Sequence, residues 1–154
     1  MEVENKIPEY LGKNELEEDV FWDSFRGRKL ILYFYPKDNT AGCTAEACSF
    51  RDHYEELRDA GFEVLGVSAD GIASHQKFVN SKQLPFHLIA DSDRTLIEAM
   101  GAWGEKVMCG RKYMGILRTT FLIDENGKII RKYLPKEIKT KIHAEQILKD
   151  YAQQ

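Results

Sequence analysis

Two of the three cysteines in this 154-residue chain, Cys43 and Cys48, stand five residues apart where a strand feeds a helix. Residues 29–54 read KLILYFYPKDNTAGCTAEACSFRDHY: an apolar run, a polar loop, and a helical stretch with Cys43 in its first turn. A helix start offers unpaired backbone N–H groups and the positive end of the helix dipole, both of which favour a thiolate over a thiol. The thiolate is the nucleophilic form of cysteine, so a thiol at Cys43 has a physical reason to react that a thiol in mid-strand would lack. Thr40, three residues earlier, can donate its hydroxyl to the sulfur or to a bound oxygen. Gly42 lets the backbone come close, and Pro36 fixes the exit of the strand so that the loop can fold over the sulfur.

At about 100° per residue, Cys43, Ala47, Phe50, Tyr54 and Leu57 share a stripe roughly 80° wide, the face expected to pack on the core. Cys48 falls about 140° away, beside Arg51, Asp52 and Glu55. On an ideal helix the two Cα atoms lie about 8 to 9 Å apart with diverging side chains, past the ~7 Å reach of a disulfide. A bond between them therefore requires the first turns of the helix to unwind. The plain alternative, two ordinary intracellular cysteines, stands beside this one.

Other chemistries fit the residues less well. Cys43, Cys48 and His53 point in different directions on one helix and cannot converge on zinc. His53, His75, His87 and His143 are scattered, with no spacing that marks a base for Cys43. A thioredoxin-type couple requires C-x-x-C, and no phosphate-binding glycine loop is present.

The elements that must position Cys43 read as an alternation. A short strand and turn are expected within residues 1–27. Buried strands follow at 29–35 and 62–68, with a helix at 44–60 between them that ends at Gly61; the connection makes the two strands parallel. A helix at 72–80, a strand at 86–90 and a helix at 91–100 come next. Residues 104–115, with three glycines among charges, read as a loop with little regular structure. Strands at 119–123 and 128–133 flank the turn Asp124-Glu125-Asn126-Gly127, and a helix at 139–151 closes the chain. The sum is one α/β sandwich in a single domain spanning residues 1–154.

Composition narrows the function classes. With 43% hydrophobic and 31% charged residues the chain can bury one core. A net charge of −3 with mixed signs leaves no footprint for nucleic acid or an anionic membrane. No apolar run approaches the ~20 residues of a membrane span, and the acidic start MEVENK lacks the features of an export signal, so a cytoplasmic location is expected. Three cysteines, an odd number, argue against a structural disulfide framework.

The spacing Pro36, Thr40, Cys43, followed by Cys48 within YFYPKDNTAGCTAEAC, resembles the signature of the peroxiredoxins, and of the peroxiredoxin Q or bacterioferritin-comigratory subfamily in particular. GVSAD at 66–70, LPFHLIAD at 84–91, WGEK at 103–106 and RTTFLID at 118–124 extend the likeness over the chain from about residue 28. The resemblance implies a thioredoxin-like fold, a central mixed β-sheet flanked by helices. It implies that Cys43 is the peroxidatic nucleophile, that Thr40 and Arg118 complete the site, with Pro36 and Gly42 shaping its pocket, and that Cys48 is the resolving thiol. It further implies peroxide substrates, a thioredoxin-like reductant, no metal or other cofactor, no nucleic-acid or membrane partner, and a monomer or weak dimer. Ala41 departs from the family's usual proline before Gly-Cys, and Cys109 matches no motif and reads as a bystander. A redox sensor using the same disulfide switch and a disulfide oxidoreductase acting on proteins are the competing readings.

Overall fold

The structure, a computed structural model, describes residues 6–152. Met1 to Asn5, most of the acidic start, therefore lie outside the described residues. Strands β1 (Tyr10–Asn14) and β2 (Asp19–Phe21) form the short opening unit, and a single 3-10 turn at Trp22–Phe25 leads to β3 (Lys29–Phe34). After β3 come helices α1 (Ala41–Asp52) and α2 (Tyr54–Asp59), then β4 (Phe62–Ser68), α3 (Ile72–Lys82), β5 (His87–Ala90) and α4 (Thr95–Ala99). Strands β6 (Trp103–Met108), β7 (Arg111–Ile116), β8 (Thr119–Ile123) and β9 (Ile129–Tyr133) precede the closing helix α5 (His143–Ala152).

Seven strands make one mixed sheet in the order β2-β1-β5-β4-β3-β8-β9. The apolar run LILYF places β3 near its centre, parallel to β4 and antiparallel to β8. Alternation along β3 divides the core in two. Ile31, Tyr33 and Tyr35 face α1 and pack with Cys43, Ala47 and Phe50, while Leu30, Leu32 and Phe34 face Trp22, Leu96 and Ile97. The α/β sandwich with a mixed sheet flanked by helices matches the expectation.

The helix expected over 91–100 is confined to Thr95–Ala99, after Arg94 at φ +64°, and two further elements differ in kind from the sequence reading. The single helix expected over 44–60 starts earlier, at Ala41, and is interrupted at His53, whose φ of −113° and ψ of 17° leave the helical region. The break lets the Tyr54 ring lie 6.2 Å from Phe86 while its hydroxyl donates to Glu63 at 2.7 Å. Gly61, with φ +92°, ends the helical segment as expected.

The stretch 104–115 is a second sheet, the hairpin β6–β7, and not an irregular loop. Its glycines serve packing. Gly104 pairs with Gly115 across the strands, and a Cβ on them would press on Leu117 and on the Lys106 stem at 2.9 and 3.0 Å. Cys109 and Gly110, at φ +53° and +79°, form the two-residue turn whose backbone twist suits a hairpin.

Candidate active site

Cys43 is the third residue of α1, so its backbone N–H is among those a helix start leaves without an intrahelical partner. The apolar stripe turns it inward, and it is 1% exposed between the helix and the C-terminal end of β3. Thr40 precedes the helix in an extended conformation, with φ −93° and ψ 160°. Its hydroxyl donates to the Lys37 carbonyl at 2.9 Å, a bond that closes the loop; the expected donation to the Cys43 sulfur is not made.

Arg118 arrives from the other end of the chain. Antiparallel pairing sets Thr119, the first residue of β8, opposite Phe34, the last of β3, so the residue before β8 is delivered to the strand end from which the Cys43 loop departs. Arg118 Nη2 donates to Cys43 Sγ at 3.3 Å and Nη1 donates to Glu46 Oε1 at 2.6 Å. Gly42 lies beside this crossing, and a Cβ there would sit 3.4 Å from Arg118 Nη2, at van der Waals contact.

Glu46 is the participant that the sequence reading missed. It is fully buried one turn after Cys43, and its Oε2 has no hydrogen-bond partner among the described residues. Burial pushes its carboxyl up from 4.5 to about 7 against the opposing charge and hydrogen bond of Arg118. The signal was present: at −60° from Cys43 on the helical wheel, Glu46 borders the apolar stripe, where a buried carboxylate requires a cation from elsewhere in the fold.

The loop between β3 and α1 is held by Asp38. Its carboxylate accepts from Tyr35 Oη at 2.6 Å and Ser74 Oγ at 2.8 Å and lies 2.7 Å from His75 Nδ1. Its backbone N–H donates to Asp70 Oδ2 at 2.8 Å. Burial alone would raise Asp38, but these bonds and the charge of His75 outweigh it and hold the carboxyl below its ordinary value. Pro36 lies in the same loop.

Asp38, Asp70 and His75 also form the one grouping with metal-ligand spacing among the described residues. They do not suit an ion, because both Asp38 oxygens are already engaged and the second His75 nitrogen faces the Ile89 carbonyl at 2.9 Å. The zinc alternative is not supported either, since His53 lies at the end of α1 against Glu56, 2.6 Å away.

Cys48 is half-buried further along α1. Both thiols are free, and the helix between them is continuous. Cys109 is exposed at the tip of the hairpin, away from both.

Residues 3–132 match the model of the AhpC/TSA family. Peroxiredoxin Bcp of Bacillus subtilis is 40% identical over 156 residues, covering 99% of this chain and 98% of its own. The structure of a mutant of Xanthomonas campestris peroxiredoxin Q superposes with a TM-score of 0.85 at 30% identity, covering 97% of this chain and 98% of that one. A second Xanthomonas campestris structure, of the bacterioferritin comigratory protein in a study of its alkyl peroxide reduction activity, gives 0.84 at 32% identity, with 92% and 88% covered. The chain therefore belongs to the AhpC/TSA family, within its Bcp or peroxiredoxin Q group of peroxiredoxins.

Proposed function

We propose that this peroxiredoxin reduces hydrogen peroxide and organic hydroperoxides at Cys43, with Cys48 as the resolving thiol and a thioredoxin-like dithiol as reductant. The observation that carries the reading is the Arg118 guanidinium donating to the Cys43 sulfur while anchored on Glu46. A thiolate at Cys43 attacks the terminal peroxide oxygen, the O–O bond breaks, and water or alcohol leaves after taking a proton. Negative charge spreads from sulfur over two oxygens in that transition state. The donors at hand are Arg118, the N–H groups at the start of α1, and the Thr40 hydroxyl once it turns from Lys37.

The product is a sulfenic acid at Cys43. The Cys48 thiolate attacks its sulfur, hydroxide leaves as water with a proton, and a disulfide forms. Because the thiols diverge on a continuous helix, the first turns of α1 open before this step, which then competes with over-oxidation of Cys43. A dithiol partner reduces the disulfide by exchange and restores the helix.

The test is intact mass with peptide mapping after a stoichiometric pulse of hydrogen peroxide on the reduced protein. A rapid bond between Cys43 and Cys48 supports both roles, and a bond through Cys109 or slow scattered oxidation overturns them. Cys43→Ser abolishes peroxide reduction, while Cys48→Ser allows one turnover and then stalls. Steady turnover with thioredoxin separates the enzyme from a sensor built on the same switch.

A further inference from the structure

Arg118 brings one positive charge to Cys43 and Glu46 together. Cys43 and Glu46 are both buried on one face of α1, and a single guanidinium donates to both. Where sulfur and carboxyl are both ionised, one cation leaves a net negative charge in a place with little water, which is costly. A second cation comes from the hairpin. Lys106, half-buried on β6, donates from Nζ to the Ile116 carbonyl at 2.8 Å, two residues before Arg118. Gly115 on the facing strand leaves room for the lysine stem, because a Cβ there would lie 3.0 Å from Lys106 Cδ and push it aside by a few tenths of an ångström.

Burial holds Lys106 below its ordinary value, the Arg118 charge acts in the same direction, and Cys43 opposes both. The other titratable groups around Cys43 do not supply this charge. Tyr33 of β3 is held protonated by burial, and Asp38 in the loop is paired with His75. On α5, burial lowers His143 to about 4, which leaves it neutral near neutral pH.

The geometry points to Lys106 as a positioning residue for Cys43: through the Ile116 carbonyl it fixes the segment that carries Arg118, and its ammonium adds the second positive charge that the buried Cys43 and Glu46 need. This rests on Cys43 being the reacting thiol. The bland alternative is a lysine that merely ties the hairpin.

The experiment uses the full chain with Cys48 and Cys109 replaced by serine, so that Cys43 is the single thiol, and follows the ultraviolet absorbance of the thiolate against pH. Lys106→Gln keeps a donor for Ile116 but removes the charge, and Lys106→Arg keeps the charge. The Cys43 titration midpoint is expected to rise by about half to one unit in Lys106→Gln, and to return in Lys106→Arg. The second-order rate with hydrogen peroxide then falls about three- to tenfold below the midpoint and converges with the parent above it. An unmoved midpoint in Lys106→Gln, including one accompanied by an equal rate loss at every pH, would overturn the charge role, as would a midpoint that Lys106→Arg fails to restore. A midpoint that moves as expected in a protein that does not reduce peroxide would leave this inference standing and refute the peroxidase reading instead.

Discussion

Ser49 Oγ accepts the backbone N–H of Ala144 at 3.0 Å, and this buried bond fixes α1 to the first turn of α5 one residue beyond Cys48. Two residues on, Arg51 Nη1 donates to the Lys82 carbonyl at 2.9 Å and ties the same half of α1 to the end of α3. The half that carries Cys43 has the Arg118 contacts as its polar side-chain tether. The tethers from α1 to other helices thus lie just after Cys48, and under the proposed resolution by Cys48 opening is expected to be confined to the turns between Thr40 and Cys48.

That asymmetry separates two substitutions of similar cost. Ser49→Ala leaves the Ala144 N–H buried without its partner, which costs about 1 to 3 kcal/mol of global stability. Because the anchor lies outside the segment that opens, the rate of Cys43–Cys48 disulfide formation stays within about twofold of the parent. Ala47→Gly acts inside the opening segment, where lost helix propensity of about 1 kcal/mol and a lost buried methyl raise the open population roughly tenfold. Rapid-quench mass spectrometry after a peroxide pulse, beside urea unfolding, tests the pair. Equal acceleration by both variants would mean that unwinding runs past Ser49.

Arg118 differs from a simple positive charge because it donates to two acceptors at once. Arg118→Ala should lower the second-order rate with hydrogen peroxide about 100-fold or more, the scale of losing one donor to a developing charge. Arg118→Lys should recover little, since an ammonium cannot reproduce the planar fork that spans Cys43 Sγ and Glu46 Oε1. Stopped-flow rates with far-ultraviolet circular dichroism as a check of folding decide it. An Arg118→Ala rate near the parent's would remove the residue from the site.

Much of this arrangement was legible from local pattern. The run LILYF, the inward stripe from Cys43 to Leu57, and the Asn126-Gly127 turn are written within short windows, and each stands where its periodicity or turn chemistry puts it. What was not legible depends on residues far apart in sequence. Glu46 is a participant because of a residue 72 positions away, and the Asp38–His75 clamp spans 37. The hairpin over 103–116 was hidden for another reason: its glycines accommodate neighbouring side chains, and its outward Val107, Met108 and Met114 give no buried alternation to read.

The Asp38 clamp carries its own prediction. Asp38→Asn places an amide where the carboxylate receives Tyr35, Ser74 and His75, and should cost about 2 to 3 kcal/mol at neutral pH. The carboxyl is held below its ordinary value in the fold, so its stabilisation is present above that value and is lost as pH falls through the folded one. The stability gap between parent and variant should therefore narrow towards strongly acid pH. A gap that is constant with pH would show that packing, not ionisation, holds the loop.

Glu46 and His143 tilt the stability of the fold in opposite directions over one pH range. Burial raises Glu46 from 4.5 to about 7, so the folded state holds a proton that the unfolded state releases first. Its contribution is present below 4.5 and is lost as pH rises towards 7, by about 3 kcal/mol in all. Burial lowers His143 from 6.5 to about 4, so the unfolded state takes up a proton first, and a contribution of similar size is lost as pH falls from 6.5 towards 4. Between about pH 4.5 and 6.5 the two slopes nearly cancel in the parent protein. Glu46→Gln should expose the histidine slope, with stability rising with pH, and His143→Gln should expose the carboxyl slope, with stability falling. Urea unfolding of the three proteins at several pH values in this window measures all the slopes. Parallel curves would mean that neither group changes its protonation on folding, and the reading of Glu46 as a buried, Arg118-dependent carboxyl would have to be abandoned.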